Sequence, residues 1–145
     1  MEPITILQDP ATLDGTAYIE LLPGGYRDSC WNAGSVFLTE EVFGYVEPII
    51  ERHEPRFDHF AFVDVGRSTW NAILDDFADL ARALRAASSV DEVAPSMGFF
   101  YPGTKRDFAA SFRENADALA ALLDELGAWL REQLSRENVI AVLGM

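Results

Sequence analysis

Asn138-Val139-Ile140-Ala141-Val142-Leu143, close to the C-terminus, decides the fold. The run from Val139 to Leu143 is apolar at every position and rich in β-branched residues, as expected of a strand buried on both faces. Such a strand inserts between other strands instead of lying at a sheet edge. Directly before it, Lys105 to Arg136 reads as one long helix ended by Asn138. Its apolar stripe is Phe108, Phe112, Leu119, Leu122, Leu123, Leu126 and Leu130. Gly127 weakens that helix locally, at a cost of about 1 kcal/mol relative to Ala. The final strand therefore returns from a long helix into a sheet laid down by earlier parts of the chain.

Those earlier parts supply the partners. Trp70, Ile73, Leu74, Phe77, Leu80, Ala81 and Leu84 recur at amphipathic helical spacing, with Asp75, Asp76 and Asp79 on the polar side and Ser68 or Thr69 as the cap. Before this helix, Phe57 to Val65 reads as a strand, and Phe60-Ala61-Phe62-Val63 has the two-sided apolarity of an interior position. Thr16 to Leu22 alternates, placing Ile19 and Leu21 toward the core and Tyr18 and Glu20 on the other side. Ile4 to Leu7 reads as a short strand forming a hairpin with it, across the turn residues Asp9-Pro10 and Asp14-Gly15. Val36 to Leu38 is a third strand candidate. Thr39 caps a helix with Glu40 and Glu41 in its first turn, and Pro48 kinks that helix or begins a second short one. Ser88 to Gly103, with Pro95, Gly98, Pro102 and Gly103, reads as a loop whose Phe99-Phe100-Tyr101 must pack or meet a partner. The order of elements predicts an α+β fold. Its mixed or antiparallel sheet has about four to six strands, with helices mainly on one face. The long C-terminal helix is followed by the final buried strand. Residues 1–145 are read as a single globular domain.

Composition narrows the function. The net charge is −13, from 24 acidic and 11 basic residues. An anionic domain is repelled by phosphate backbones and by anionic bilayers, so neither nucleic acid nor membrane is expected as a partner. A basic protein partner is favoured, because opposite fields speed encounter. Residues 1–50 hold eight acidic residues against one basic residue, Arg27. Cys30 is the only cysteine, which excludes an intramolecular disulfide, and Met1-Glu2-Pro3 opens no basic and apolar leader. The expected compartment is the cytoplasm.

Candidate chemistry is sparse. In Asp28-Ser29-Cys30-Trp31, the Ser-Cys-Trp triplet is superficially similar to the nucleophile segment of papain-like thiol enzymes. A cysteine-dependent hydrolase would need His53 or His59 as the base. The family's downstream His and Asn contexts are missing, and a buried structural cysteine is the favoured reading. His53, Glu54, Asp58, His59 and Asp64 supply ligand types without a compact metal motif, so no metal site is assigned. Glu40-Glu41, Asp75-Asp76 and Asp124-Glu125 are neighbours on helices, where adjacent side chains diverge. No glycine-rich phosphate loop and no Gly-x-Ser-x-Gly occurs. No catalytic residue and no cofactor is assigned.

The loop aromatics Tyr26 and Trp31, with Asp28 between them and Glu40 and Glu41 beyond, are the candidate partner-binding residues. The segment from Trp31 to Gly44, with Glu47-Pro48 and Phe57-Asp58-His59-Phe60-Ala61-Phe62, resembles the immunity proteins of bacterial polymorphic and contact-dependent toxin systems. That resemblance implies stoichiometric binding of a cognate toxin acting in the cytosol, by occlusion of its active site. Two other readings stand beside it: the small hydrolase using Cys30, and a homo-oligomeric protein, such as a homodimer, built through the long C-terminal helix.

Overall fold

The computed structural model describes residues 1–144. The fold is α+β. Four strands, β1 (Tyr18–Pro23), β2 (Val36–Thr39), β3 (Phe62–Gly66) and β4 (Val139–Leu143), form one antiparallel sheet in the order β2-β1-β4-β3. The helices are α1 (Glu40–Gly44), α2 (Glu47–His53), α3 (Arg67–Ala86), α4 (Val90–Val93), α5 (Thr104–Ala110) and α6 (Phe112–Leu134). None of them is long and apolar enough to cross a membrane.

β4 inserts between β1 and β3, as its sequence predicts. Ile140 and Val142 enter the main core with Ile19, Leu21, Val36, Leu38, Val63 and Val65, and the helices cover this face. On the reverse face Leu22, Ala141 and Leu143 form a separate small cluster that includes no helical residue. Trp70, fully buried on α3, donates its indole N–H to the Ile140 carbonyl at 3.1 Å. Arg67 donates to the Leu134 and Glu137 carbonyls and so caps the end of α6. The junction between α6 and β4 is thus held by the start of α3.

Several sequence expectations change. Ile4 to Leu7 forms no strand with β1, because β2 and β4 occupy both edges of β1. Only Leu7 pairs, and it does so with Phe37 of β2, through bonds of 2.9 and 2.7 Å. The strand expected over Phe57 to Val65 begins only at Phe62 and lies at the sheet edge, with Phe60 72% and Phe62 45% exposed. Asp58 starts a turn there, accepting from the Phe60 N–H through its carboxylate and from the Ala61 N–H through its carbonyl. The Arg56 guanidinium donates to the Asp64 carbonyl at 3.0 Å and covers part of this edge. Neither Ser68 nor Thr69 caps α3. β3 runs straight into the helix, and the Arg67 N–H is satisfied by the Asn138 carbonyl. Thr39 does cap α1, accepting from the Val42 N–H, and Pro48 stands in the first turn of a separate α2.

The long C-terminal helix divides at Ser111 and not at Gly127. Asn115 donates its side-chain amide to the Phe108 carbonyl, a group an unbroken helix would pair with the Phe112 N–H. The break lets fully buried Phe108 pack on Tyr45 and Phe99. The stretch expected as a loop contains α4 and a 3-10 turn at Ala94–Ser96. Its Gly98 lies directly against the α1–α2 corner, where an added Cβ would sit 2.5 Å from the Gly44 carbonyl and 2.9 Å from Pro48. This close approach places Phe99 on Tyr45, Phe100 on His59 and the Tyr101 hydroxyl on Glu40. The aromatic triplet is used within the fold.

Gly98→Ala is expected to lower the unfolding free energy by about 1–3 kcal/mol, because the clash is with backbone. Gly127→Ala meets only the mobile end of Arg131 at 3.3 Å and Leu74 at 3.8 Å. It is expected to raise stability by up to about 1 kcal/mol. Urea melts of the two variants check both signs.

Candidate partner-binding face

The face of the sheet away from the helices is crossed by the β1–β2 connection, residues 24–35. Alternation along β1 turns Glu20 to this side between core-facing Ile19 and Leu21. Its carboxylate, 3% exposed, accepts from the Trp31 N–H (2.7 Å), the Asn32 N–H (3.0 Å), the Asn32 side-chain amide (3.0 Å) and the Ser35 hydroxyl (2.6 Å). Trp31 adopts φ +63° and Asp28 φ +64°. A non-glycine residue in this left-handed region costs roughly 1–2 kcal/mol. At Trp31 the strained turn aims two successive N–H groups at one buried carboxylate, which offsets that cost.

The loop is pinned on both sides of Glu20. Trp31 stacks on Phe37 of β2, with centroids 5.5 Å apart, and meets the Tyr18 ring edge-on at 5.8 Å. Tyr26 meets Phe62 of β3 edge-on at 5.0 Å, and its N–H donates to the Asp64 carboxylate at 3.0 Å. Tyr26 and Trp31 each remain 37% exposed. Thr16, Tyr18, Glu20, Cys30, Trp31, Phe62, Leu143 and Gly144 line a mainly apolar cleft of about 190 Å³. A larger cleft of about 450 Å³ adjoins it, lined among others by Glu2, Asp14, Glu40, Glu41 and Tyr101. Thr16 and Tyr18 belong to both.

Of the residues singled out in the sequence, Tyr26, Asp28 and Trp31 stand together on this loop. Glu40 and Glu41 lie across Tyr18 on the wall of the acidic cleft, and both are engaged within the chain. Glu40 accepts from His59 Nε2 at 2.7 Å and from the Tyr101 hydroxyl at 2.9 Å. Glu41 is buried and accepts from the Glu2 N–H and the Thr104 hydroxyl. Reversing their charge would disturb the fold as well as the surface field. The sequence reading passed over Glu20 as an anchor and Phe60 and Phe62 as exposed aromatics. The alternation of core-facing Val63 and Val65 carries the signal for Phe62, since it turns Phe62 and Asp64 to the reverse face.

Cys30 is exposed on the tethered loop, which corrects its expected burial. Partial desolvation and the charge of Glu20 push its thiol pKa up. No hydrogen bond joins it to His53 or His59 among the described residues. His53 Nε2 lies 2.6 Å from Asp76. The candidate metal-ligating residues are likewise spread among separate partners, with Glu54 on Arg56, Asp58 on the Phe60 N–H and Asp64 on the Tyr26 N–H. Among the described residues no group of three or more His, Cys, Asp or Glu side chains is placed to hold a metal ion. No family model matches the chain, and no curated protein and no solved structure matches it significantly.

His59 forms a second tether. Its Nδ1 lies 2.8 Å from Glu47 and its Nε2 2.7 Å from Glu40, while Phe100 stacks on the ring at 4.6 Å. Two carboxylate acceptors on one ring select the doubly protonated imidazolium. Burial pushes the His59 pKa down, but the hydrogen bonds and charges of Glu40 and Glu47 outweigh it, and the net shift is upward. The clamp joins the turn before β3 to α1, α2 and the loop carrying Phe100.

Glu20→Ala is expected to cost about 1–3 kcal/mol by leaving buried donors unpaired. It should also expose Trp31 to acrylamide quenching. The His59 clamp contributes fully below the ordinary value of about 6.5 and is lost as pH rises through the elevated folded value. The stability difference between the wild type and His59→Gln should therefore shrink on titration upward from about pH 6.5, as denaturant melts across that range would show.

Proposed function

We propose that this chain is a non-catalytic binding module that neutralises a basic protein partner by covering it, as an immunity protein covers a cognate toxin in the cytosol. The observation that carries this reading is the reverse sheet face, whose buried cluster includes no helical residue among the described residues and which the 24–35 loop crosses. A loop tied down by Glu20 holds Tyr26 and Trp31 on that face at partial exposure. Rigid aromatics on a preorganised loop lose little entropy on binding, which is how interface anchors reach high affinity. The net charge of −13 adds attraction for a basic surface. A homodimer through this face would oppose two like-charged surfaces. The hydrolase alternative has less support, because burial pushes the Cys30 thiol pKa up, no hydrogen bond joins Cys30 to either histidine among the described residues, and carboxylates occupy both ring nitrogens of His59.

The test is to sequence the gene beside this chain's own, which this reading expects to encode a basic toxin domain, and to co-express the two. Growth should be restored and a stoichiometric complex isolated. Its association should slow as salt is raised. Trp31→Ala combined with Phe62→Ala should weaken the complex at least tenfold. Failure to bind a basic toxin domain, together with substrate turnover abolished by Cys30→Ala, would replace this reading with the hydrolase.

A further inference from the structure

The two clefts meet at Tyr18, and their chemistry differs on its two sides. The Tyr18 hydroxyl donates to the Asp14 carboxylate at 2.6 Å, on the acidic side. Its ring meets Trp31 at 5.8 Å, on the apolar side. The smaller cleft, about 190 Å³, is below the roughly 300–1,000 Å³ typical of small-molecule sites. It suits one apolar side chain inserted from a partner. The acidic cleft is lined by Met1, Glu2, Asp14, Glu40 and Glu41 among others, and by no lysine or arginine side chain. The oxygens of Glu40 and Glu41 accept from His59, Tyr101, the Glu2 N–H and Thr104, and Asp14 Oδ1 accepts from Tyr18, which leaves the Glu2 carboxylate and Asp14 Oδ2 for an incoming cation. The acidic groups do not converge on a metal position, which favours a broad cation such as guanidinium.

The geometry points to a composite anchor site: the partner places an apolar side chain in the cleft between Trp31, Phe62 and Leu143, and a neighbouring arginine in the acidic cleft beyond Tyr18. This rests on reading the chain as a binder of a basic protein, and it specifies the surface element that is read. Charge complementarity selects the occupant. A second copy of this chain, also at net charge −13, would meet repulsion at the same place.

The experiment titrates the full ¹⁵N-labelled chain at low salt with three capped tripeptides, Arg-Leu-Arg, Glu-Leu-Glu and Arg-Gly-Arg. Arg-Leu-Arg should shift the amides of Thr16, Tyr18, Trp31 and Gly144 as one set, and the other two should bind it at least fivefold more weakly. Asp14→Asn, which keeps a hydrogen-bond acceptor for Tyr18, should weaken Arg-Leu-Arg at least threefold and flatten its salt dependence. Phe62→Ser, at an exposed position, should weaken it without altering that salt dependence. Equal response to Glu-Leu-Glu or Arg-Gly-Arg, or shifts outside this set, overturns the composite site. Concentration-dependent shifts of the same amides without peptide also overturn it, by identifying a second copy as the occupant. Toxin neutralisation that survives both substitutions unchanged sinks the site and leaves the binding function standing. Intact peptide responses without toxin neutralisation sink only the immunity reading.

Discussion

β4 occupies the middle of the sheet although it is the last strand in the chain. Its two edges are taken by β1 and β3, so neither the N-terminal strands nor the β3–α3 unit closes the main core without it. The same five residues serve both faces. Ile140 and Val142 complete the helix-covered core, while Ala141 and Leu143 join Leu22 in a buried cluster on the reverse face. Pairing of this kind is formed across long sequence separations, where loop closure opposes it until the packing is in place. Trp70 bonded to the Ile140 carbonyl and Arg67 capping α6 hold the returning strand where α3 begins.

The reverse face is organised by a different device. No helix covers it. One buried carboxylate, Glu20, gathers the loop that crosses it, and that loop is fastened to β2 through Trp31 and Phe37 and to β3 through Tyr26 and Phe62. The result is a surface with aromatic rings in fixed positions and a cleft between them. A second tether, His59 between Glu40 and Glu47, binds the turn before β3 to the two short helices. Both tethers use carboxylates that contribute to the negative charge of the chain. Part of the acidity therefore serves the fold and is not free to act on a partner.

The main elements were legible because they rest on local spacing. The stripe from Trp70 to Leu84, the cap at Thr39, the interruption at Pro48 and the apolar run from Val139 to Leu143 each have a short-range physical cause. Phe60 to Val63 misled, since apolarity alone does not say which of two apolar segments takes the interior of a sheet. Ile4 to Leu7 misled in the same way, because pairing with β1 depended on whether a free edge remained. The division at Ser111 has no breaker residue to announce it; the need to seat Phe108 against Tyr45 and Phe99 decides it.

The candidate face was half legible. Tyr26, Asp28 and Trp31 were recognisable as loop residues, but whether the loop floats or is held depends on Glu20, eleven residues from Trp31, and on Asp64 beneath Tyr26. Glu40 and Glu41 looked like free surface charges until His59, Tyr101, Thr104 and the Glu2 N–H were brought to them. By itself the sequence determined helix periodicity, strand alternation, the insertion of the last strand and the sign of the field, because covalent spacing and composition set these. Only the tertiary structure decided which strand became the edge, which carboxylates were consumed by internal partners and which aromatics stayed open. Those outcomes are competitions between groups far apart in the chain for a limited number of edges, donors and buried volumes.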